Sequence, residues 1–450
     1  MVNPSIPKGT RDFLPKQMAG RNYIFDTIKT IFKNHGFLQI ETPAVENLST
    51  LTGKYGEEGD QLMFKILNRG DKFRKAVSNQ SNNESDFTEL ALKYDQTVPF
   101  ARFVVQNQNE ITFPFKRYQI QPVWRADRPG KGRYREFYQC DVDIVGSDSL
   151  LCEVEFIQIY NEVLKALAIP DYTIKINNRK ILYGIAEIVG EKEKIIDITT
   201  AIDKLDKIGL EKVNEELYSK GVSNDAIDKL QSIIKLSGST NQKINSLKDF
   251  LSKSEIGLKG LEELDYIFDF VDELGLNSSI VLDVTLARGL NYYTGVIFEV
   301  ESNGFKGSIC GGGRYNGLTD QFGLKGIGAA GISFGADRIY DVMLENNLFP
   351  KDVLQSLKVF FVNFGIEEER YIMPLLVKLR SIGISSEIYP RKVKMKKQMS
   401  YANSKGAEYV VLIGSDEIEL EQLSVKNMAT GEQEKISFVN FLSKFKNIET

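Results

Sequence analysis

The residues best placed to do chemistry lie between Arg117 and Gly146, RYQIQPVWRADRPGKGRYREFYQCDVDIVG. Residues 116 to 135 hold seven Lys or Arg against one acid, in a chain whose formal net charge is −4. That excess is local, so it marks an anion site and not a general affinity for polyanions. Apolar strand residues alternate with the cations, a basic glycine-containing turn spans Asp127 to Arg135, and REFYQCDVDIVG returns as a second strand. Guanidinium groups fixed on strands suit bidentate recognition of phosphate oxygens. A hairpin with a solvated basic tip would account for this segment alone. Further on, ARGLNYYTGVIFEV sets a cation, Arg288, and two phenols, Tyr292 and Tyr293, on one strand. GSICGGGRYNG (307–317) brings backbone close to a ligand or makes a tight inter-strand turn, since residues without Cβ serve both uses.

The residue counts exclude several chemistries. His35 is the single histidine, which removes Ser-His-Asp hydrolysis, HExxH chemistry and multi-histidine metal centres. In IFKNHGF it stands where a helical pattern stops, a structural position. Cys140, Cys152 and Cys310 are too few and too scattered for a disulfide framework or a structural zinc site, which points to a reducing, cytoplasmic setting. No run of about 18 apolar residues suggests a membrane span. Catalysis must then come from arginines, carboxylates, tyrosines, backbone amides or a bound metal. Two motif matches fail on context. GIGAAG (326–331) lacks the preceding strand of a dinucleotide fingerprint, and KVKMKKQMS (392–400) reads as the basic start of a helix.

The elements that must position these groups follow from periodicity. Residues 21–35 place Tyr23, Ile24, Ile28, Ile31 and Phe32 on one helical face, and FLQIETPAVE is extended as far as Pro43. Residues 60–145 read as strands with one helix near Thr97 to Gln106, followed by a long helix from about 150 to 168 and a strand, YTIKINN. From 181 to 278, Lys, Glu, Ile and Leu at helical spacing, without a motif, read as a helical insertion. From about 356, strands and helices alternate as a compact α/β unit, LEQLSVKNMATGEQEKIS adding a hairpin and FVNFLSKFKN a closing helix.

Several segments together resemble the histidyl-tRNA synthetases, a class II aminoacyl-tRNA synthetase family: KGTRDFLP, FLQIETPAVE (motif 1), LKYDQTVPFAR, VWRADRPGKGRYREFYQCDVDIVG (motif 2), LARGLNYYTGVIFE, CGGGRYNGL and GISFGADRIYDVM (motif 3). They occur in the family's order over roughly 7–345. The resemblance implies an α+β catalytic domain with an antiparallel sheet, in two parts (1–180 and 279–348) around the insertion (181–278), and a C-terminal α/β anticodon-binding domain (356–450). It implies a histidine-tRNA ligase using ATP and Mg²⁺, with histidine and tRNA(His) as partners, working as a homodimer through motif 1 and away from membranes, with no metal-binding residue assigned.

Residue by residue, the resemblance gives Arg125 the ATP α-phosphate and the substrate carboxylate, Asp127 the adenine amino group, and Phe137 a stack on adenine. Arg338 covers the other adenine face and reaches the terminal phosphate, and Arg133 also touches ATP. Asp95, Thr97 and Gln139 take the α-amino group. Asp143 and Tyr293 hold the imidazole, with Tyr292 nearby, and Arg288 stabilises the α-phosphate. The basic set Arg391, Lys392, Lys394, Lys396 and Lys397 is expected to meet tRNA.

Three positions depart from the family pattern. Asn291 stands for a common Asp, DQT resembles the eukaryote-like variant, and Gly130 stands where many bacterial relatives have Gln, which affects acceptor-end recognition. Two other readings remain: a regulatory paralogue without catalysis, against which the retained RGLNYY and C-terminal unit speak, and a class II synthetase for another amino acid, against which Tyr292, Tyr293 and GGGRY speak.

Overall fold

The structure, a computed structural model, describes residues 3–276, 279–287, 292–350, 353 and 357–445. The chain divides into two compact units, 1–12 with 24–348, and 13–23 with 349–450.

In the first unit the strands are β1 Leu38–Gln39, β2 Val45–Asn47, β3 Lys65–Leu67, β4 Thr88–Leu92, β5 Phe115–Trp124, β6 Glu136–Val145, β7 Tyr172–Asn178, β8 Ile280–Leu282, β9 Val296–Ser302, β10 Cys310–Arg314 and β11 Ala329–Gly335. Eight of them form one sheet in the order β1-β5-β6-β11-β10-β9-β7-β8. The five central pairings, from β5 to β7, are antiparallel, and the pairs at the two ends, β1 with β5 and β7 with β8, are parallel. β2, β4 and β3 make a small second sheet. Residues 60–145 are less uniformly extended than the sequence suggests: Asp71–Ser78 is a helix that buries Ala76 and exposes Asp71, Lys72, Arg74 and Lys75.

Because side chains alternate across a strand, the two faces of the large sheet have different fates. One face presents Tyr118, Val142, Ile332 and Phe334 to the helices. Phe32 lies 5.6 Å from Tyr118 and 5.9 Å from Phe334, and Tyr160, on the helix Leu151–Ala166, lies 5.3 Å from Phe334. This aromatic layer is the apolar support of the sheet. The opposite face carries Phe137, Gln139, Asp141 and Asp143 in succession along β6, which fixes them in one line.

Between β7 and β8 the chain is helical, the last helix running Glu255–Glu273. Serine hydroxyls set its starts: Ser223, Ser239 and Ser254 each accept a backbone N–H of the first turn, and Gln242 completes a capping box. Helices Arg179–Ile188 and Glu255–Glu273 touch backbone to backbone. A Cβ on Gly184 would lie 2.6 Å from the Gly257 Cα, so that crossing requires glycine.

The second unit has a five-stranded sheet in the order β13-β12-β14-β15-β16, with β12 Val359–Phe361, β13 Ser386–Ile388, β14 Tyr409–Leu412, β15 Gln422–Asn427 and β16 Gln433–Ser437. β12 is parallel to both neighbours, and helices Ile366–Ser381 and Met395–Ser404 make the crossovers. Its alternate residues feed two cores, Val359 and Phe361 one, Phe360 and Val362 the other, as expected of a strand buried on both faces. The hairpin and the closing helix, Phe438–Ser443, stand where the sequence puts them.

Candidate active site

On the polar face of the large sheet a cleft of about 680 Å³ is lined by Asp95, Thr97, Arg125, Asp127, Arg133, Phe137, Gln139, Asp143, Tyr292, Tyr293 and Arg338. All the cleft residues expected from the sequence are thus brought together except Arg288, which, like Asn291, lies outside the described residues. His35 is elsewhere. It ends its helix and bonds Glu155 at 3.2 Å and Glu162 at 3.1 Å, as a structural histidine does, and the hydrogen bond to Glu155 is the main reason its pKa is raised.

Glycines give the cleft its floor. Asp143 faces Gly331 across the β6–β11 pairing, and Gly331 faces Gly313 on β10. A Cβ on Gly331 would lie 1.9 Å from Asp143 Oδ1, and one on Gly313 would lie 3.0 Å from Tyr293 Cδ1. Asp143 and Tyr293 therefore lie over positions that only glycine leaves open. This is the physical content of the GGGRY segment, whose Arg314 faces away from the cleft. Its guanidinium makes two bonds of 2.6 Å to the Glu153 carboxylate, both side chains being buried.

At one end of the cleft, Arg125 donates Nε–H to the Tyr94 carbonyl at 3.1 Å and lies 4.3 Å from the Tyr94 ring and 5.2 Å from Phe137. Among the described residues it forms no ion pair, so its outer nitrogens remain available to an anion. Asp127 and Arg133 face each other at 3.5 Å in the turn, and Arg338 is held by the Gly132 carbonyl at 2.9 Å and the Ser308 carbonyl at 2.6 Å. The N-terminal KGTRD segment secures this end: the Gly9 carbonyl accepts Arg135 N–H at 2.8 Å, and Arg11 stacks 3.3 Å over Tyr134 while pairing with Asp337, next to Arg338.

At the other end, buried Asp95 accepts Tyr55 O–H at 2.9 Å, Val98 N–H at 3.2 Å and Tyr292 O–H at 3.2 Å. Burial pushes its pKa up and Arg125 pulls it back. Asp143 accepts Tyr315 O–H at 2.5 Å and lies 2.7 Å from Arg117 Nη2, off the N–H axis; burial raises its pKa against the pull of Arg117. Tyr292 and Tyr293 are not on a strand, as the sequence reading has them, but on the turn before β9, rings 4.8 Å apart. Adjacent residues on a strand point to opposite faces, so only a turn lets both phenols face the cleft. Burial raises both phenol pKa values, leaving them neutral donors.

The sequence reading passed over Tyr55, Asp141, Ser333 and Tyr315, all of which line the cleft, and Arg117, which pairs with Asp143. Asp141 was legible, because it lies two residues from both Gln139 and Asp143 on one strand. Thr199 and Thr200 also reach the cleft, from the helix Ile195–Ile202, in a segment where no motif announces them. In the second unit Arg391, Lys392, Lys394, Lys396 and Lys397 are all exposed, at the start of the helix Met395–Ser404 and in the loop before it. Among the described residues no group of three or more His, Cys, Asp or Glu side chains is placed to hold a metal ion, and no helix is long and apolar enough to cross a membrane.

The histidyl-tRNA synthetase family model matches residues 9–339, and an anticodon-binding domain model matches 358–448. The chain is 58% identical over 443 residues to a histidine–tRNA ligase of Phocaeicola vulgatus and 57% identical over 443 residues to one of Bacteroides fragilis, each match covering 97% of both chains. The crystal structure of histidyl-tRNA synthetase from Nostoc sp. PCC 7120 superposes with a TM-score of 0.84 at 32% identity, covering 99% of this chain and 100% of that one.

Proposed function

The chain belongs to the histidyl-tRNA synthetase family, and from that premise we propose that the cleft on the polar face of the large sheet is where ATP activates histidine. The chain is a histidine–tRNA ligase: it joins histidine to ATP as the adenylate, releasing pyrophosphate, and passes the histidine to the 3′ end of tRNA. The observation that carries the site assignment is the single line of Phe137, Gln139 and Asp143 along one face of β6, with Arg125 near the Phe137 end and Tyr293 over the glycines beside Asp143.

Adenine stacks on Phe137 with Arg338 on its other face, its amino group meeting Asp127, while Arg133 and Arg338 reach the distal phosphates. For that, Arg133 must exchange its long contact with Asp127 for the nucleotide, a small cost for a pair 3.5 Å apart whose arginine is exposed. Histidine's α-amino group meets Asp95, Thr97 and Gln139, and its imidazole lies toward Asp143, Tyr292 and Tyr293. Its carboxylate then meets the α-phosphorus at Arg125. In-line attack there needs alignment and charge stabilisation more than proton transfer, which guanidinium groups supply. Arg288 joins Arg125 in this role on the strength of its place in RGLNYY.

Mg²⁺ would enter with the ATP phosphates, which Arg125, Arg133 and Arg338 would hold, and would supply neutralisation of their charge. Motif 1 supplies a pairing surface for a homodimer, Leu38 on β1 being 62% exposed at the sheet edge. The three buried free thiols suit the cytoplasm. Residues 1–180 and 279–348 are read as the catalytic core, 181–278 as its helical insertion, and 356–450 as the anticodon-binding domain that meets tRNA(His).

Five exposed cations on the second unit carry the tRNA contact. With Arg391, Lys392, Lys394, Lys396 and Lys397 changed to Gln, tRNA charging should weaken by roughly tenfold or more at moderate salt and lose much of its salt dependence, as expected when phosphate contacts vanish. Histidine-dependent ATP–pyrophosphate exchange should stay within about twofold, since adenylate formation involves no tRNA and none of the five lines the cleft. A parallel fall in exchange refutes this division of labour.

A further inference from the structure

Residues 3–8 are all exposed, Ile6 at 51%, so the start of the chain adds nothing to a core. The contacts that follow, through Gly9 and Arg11, are polar and fall on the nucleotide end of the cleft. The Gly9 carbonyl accepts Arg135 N–H at 2.8 Å, and the Arg135 carbonyl in turn accepts Arg125 N–H at 2.9 Å. One residue thus stands between this segment and the backbone of the arginine proposed to meet the α-phosphate. Gly9 has a φ of +87°, and a Cβ there would lie 2.8 Å from both Pro129 Cγ and Arg135 Cγ, so the close approach to the turn requires glycine.

Arg11 reaches further in. Its guanidinium lies 3.3 Å from the centre of the Tyr134 ring and pairs with Asp337, the arginine side chain being 24% exposed and the acid 3%. Tyr134 donates its O–H to Asp341 at 2.8 Å, so ring and acid both tie Arg11 to the helix Ala336–Glu345. Asp337 makes a further link. One residue beyond the last β6–β11 pair, Gln139 with Gly335, its Oδ2 accepts Tyr138 N–H at 2.8 Å. Tyr138 follows Phe137, and Asp337 precedes Arg338. That bond sets the distance between the two side chains assigned to the faces of adenine, and Arg11 holds the acid that makes it.

Resting on the nucleotide assignment above, we propose that Arg11 is a positioning residue for ATP. Through Asp337 it fixes the spacing of Phe137 and Arg338, and through Tyr134 it holds the turn that carries Asp127 and Arg133. A slot for a flat base works at one width, because dispersion falls steeply once a gap opens. A planar guanidinium can stack and pair at once, whereas an ammonium keeps the charge without the flat face.

The test is ATP–pyrophosphate exchange by the full-length protein, with the KM values for ATP and histidine measured separately. Arg11→Ala should raise the ATP KM by roughly tenfold, the order of one lost charge-assisted bond, while the histidine KM stays within about twofold. Arg11→Lys should melt near the parent temperature and leave the ATP KM about threefold high, the scale of a lost stack. In an Arg338→Ala background, Arg11→Ala should add less than about twofold, because the slot it maintains has already lost one wall. Equal rises for ATP and histidine, or the full loss persisting in that background, would make Arg11 a general structural residue and overturn the proposal. A folded Arg11→Ala protein with the parent ATP KM would overturn it too, and if that variant does not fold, a parent value in Arg11→Lys does the same. Phe137→Ala separates this from the underlying assignment. If Phe137→Ala leaves the ATP KM unchanged, adenine does not bind here and the site reading falls; if it raises the ATP KM and Arg11→Ala does not, only the role of Arg11 falls.

Discussion

Arg125→Ala should lower the rate of histidyl-adenylate formation by roughly 10²- to 10³-fold, about 3–4 kcal/mol of transition-state stabilisation. The reasoning starts from what Arg125 lacks. It is fixed by one Nε bond to the Tyr94 carbonyl and by two aromatic rings, yet pairs with no acid among the described residues. Such a guanidinium is preorganised for an anion that comes and goes, and a preorganised cation contributes most where charge develops on the α-phosphate. The loss should appear in kcat more than in the KM values, because binding that is equal in ground and transition states does not accelerate the chemical step. Arg125→Lys should recover only part of the rate, since an ammonium keeps the charge but not the planar fork. The melting temperature should hardly move, because no buried ion pair is broken. A variant that melts early, or that loses only ATP affinity, would return Arg125 to a structural or ground-state role.

The second large effect is on stability. Glu153→Gln should destabilise the protein by about 3–5 kcal/mol, seen as an early thermal transition. Glu153 and Arg314 are both buried and joined by two bonds of 2.6 Å, and the guanidinium also donates to the Ser147 carbonyl at 3.1 Å and the Ser149 carbonyl at 2.9 Å. Neutralising the acid strands a buried cation, and that desolvation penalty exceeds the worth of any single bond. Changing both partners, Glu153→Leu with Arg314→Met, should restore most of the loss, since the penalty belongs to the unpaired charge. The exchange rate at low temperature should survive in the single variant, Arg314 having no part in the cleft. A Glu153→Gln protein as stable as the parent would show that the pair is solvated and not buried.

The sequence announced elements better than it announced orientations. The helix expected near Thr97 to Gln106 spans those residues, and the basic hairpin forms as β5 and β6, because local periodicity and turn chemistry determine both. Arg314 shows the limit. GGGRY alone does not say what its arginine meets: its partner, Glu153, is 161 residues away, and only tertiary structure tells a ligand site from a salt bridge. Tyr292 and Tyr293 were recognised by type and misplaced on a strand, since their turn is set by contacts with distant Gly313, Tyr315 and Asp95. Asp141 could have been found by asking which residues share a face with Gln139 and Asp143. Thr199 and Thr200 could not, because nothing in a solvated helical pattern says which turn will reach the cleft.

A structure of the protein with histidine and a non-hydrolysable ATP analogue tests most directly the claim that this one cleft is polarised along β6. The account predicts the purine between Phe137 and Arg338, the α-phosphate and the histidine carboxylate meeting at Arg125, and the imidazole beyond Gln139, beside Asp141, Asp143 and Tyr293. Histidine bound with its ring at the Phe137 end, or outside the cleft altogether, would contradict it.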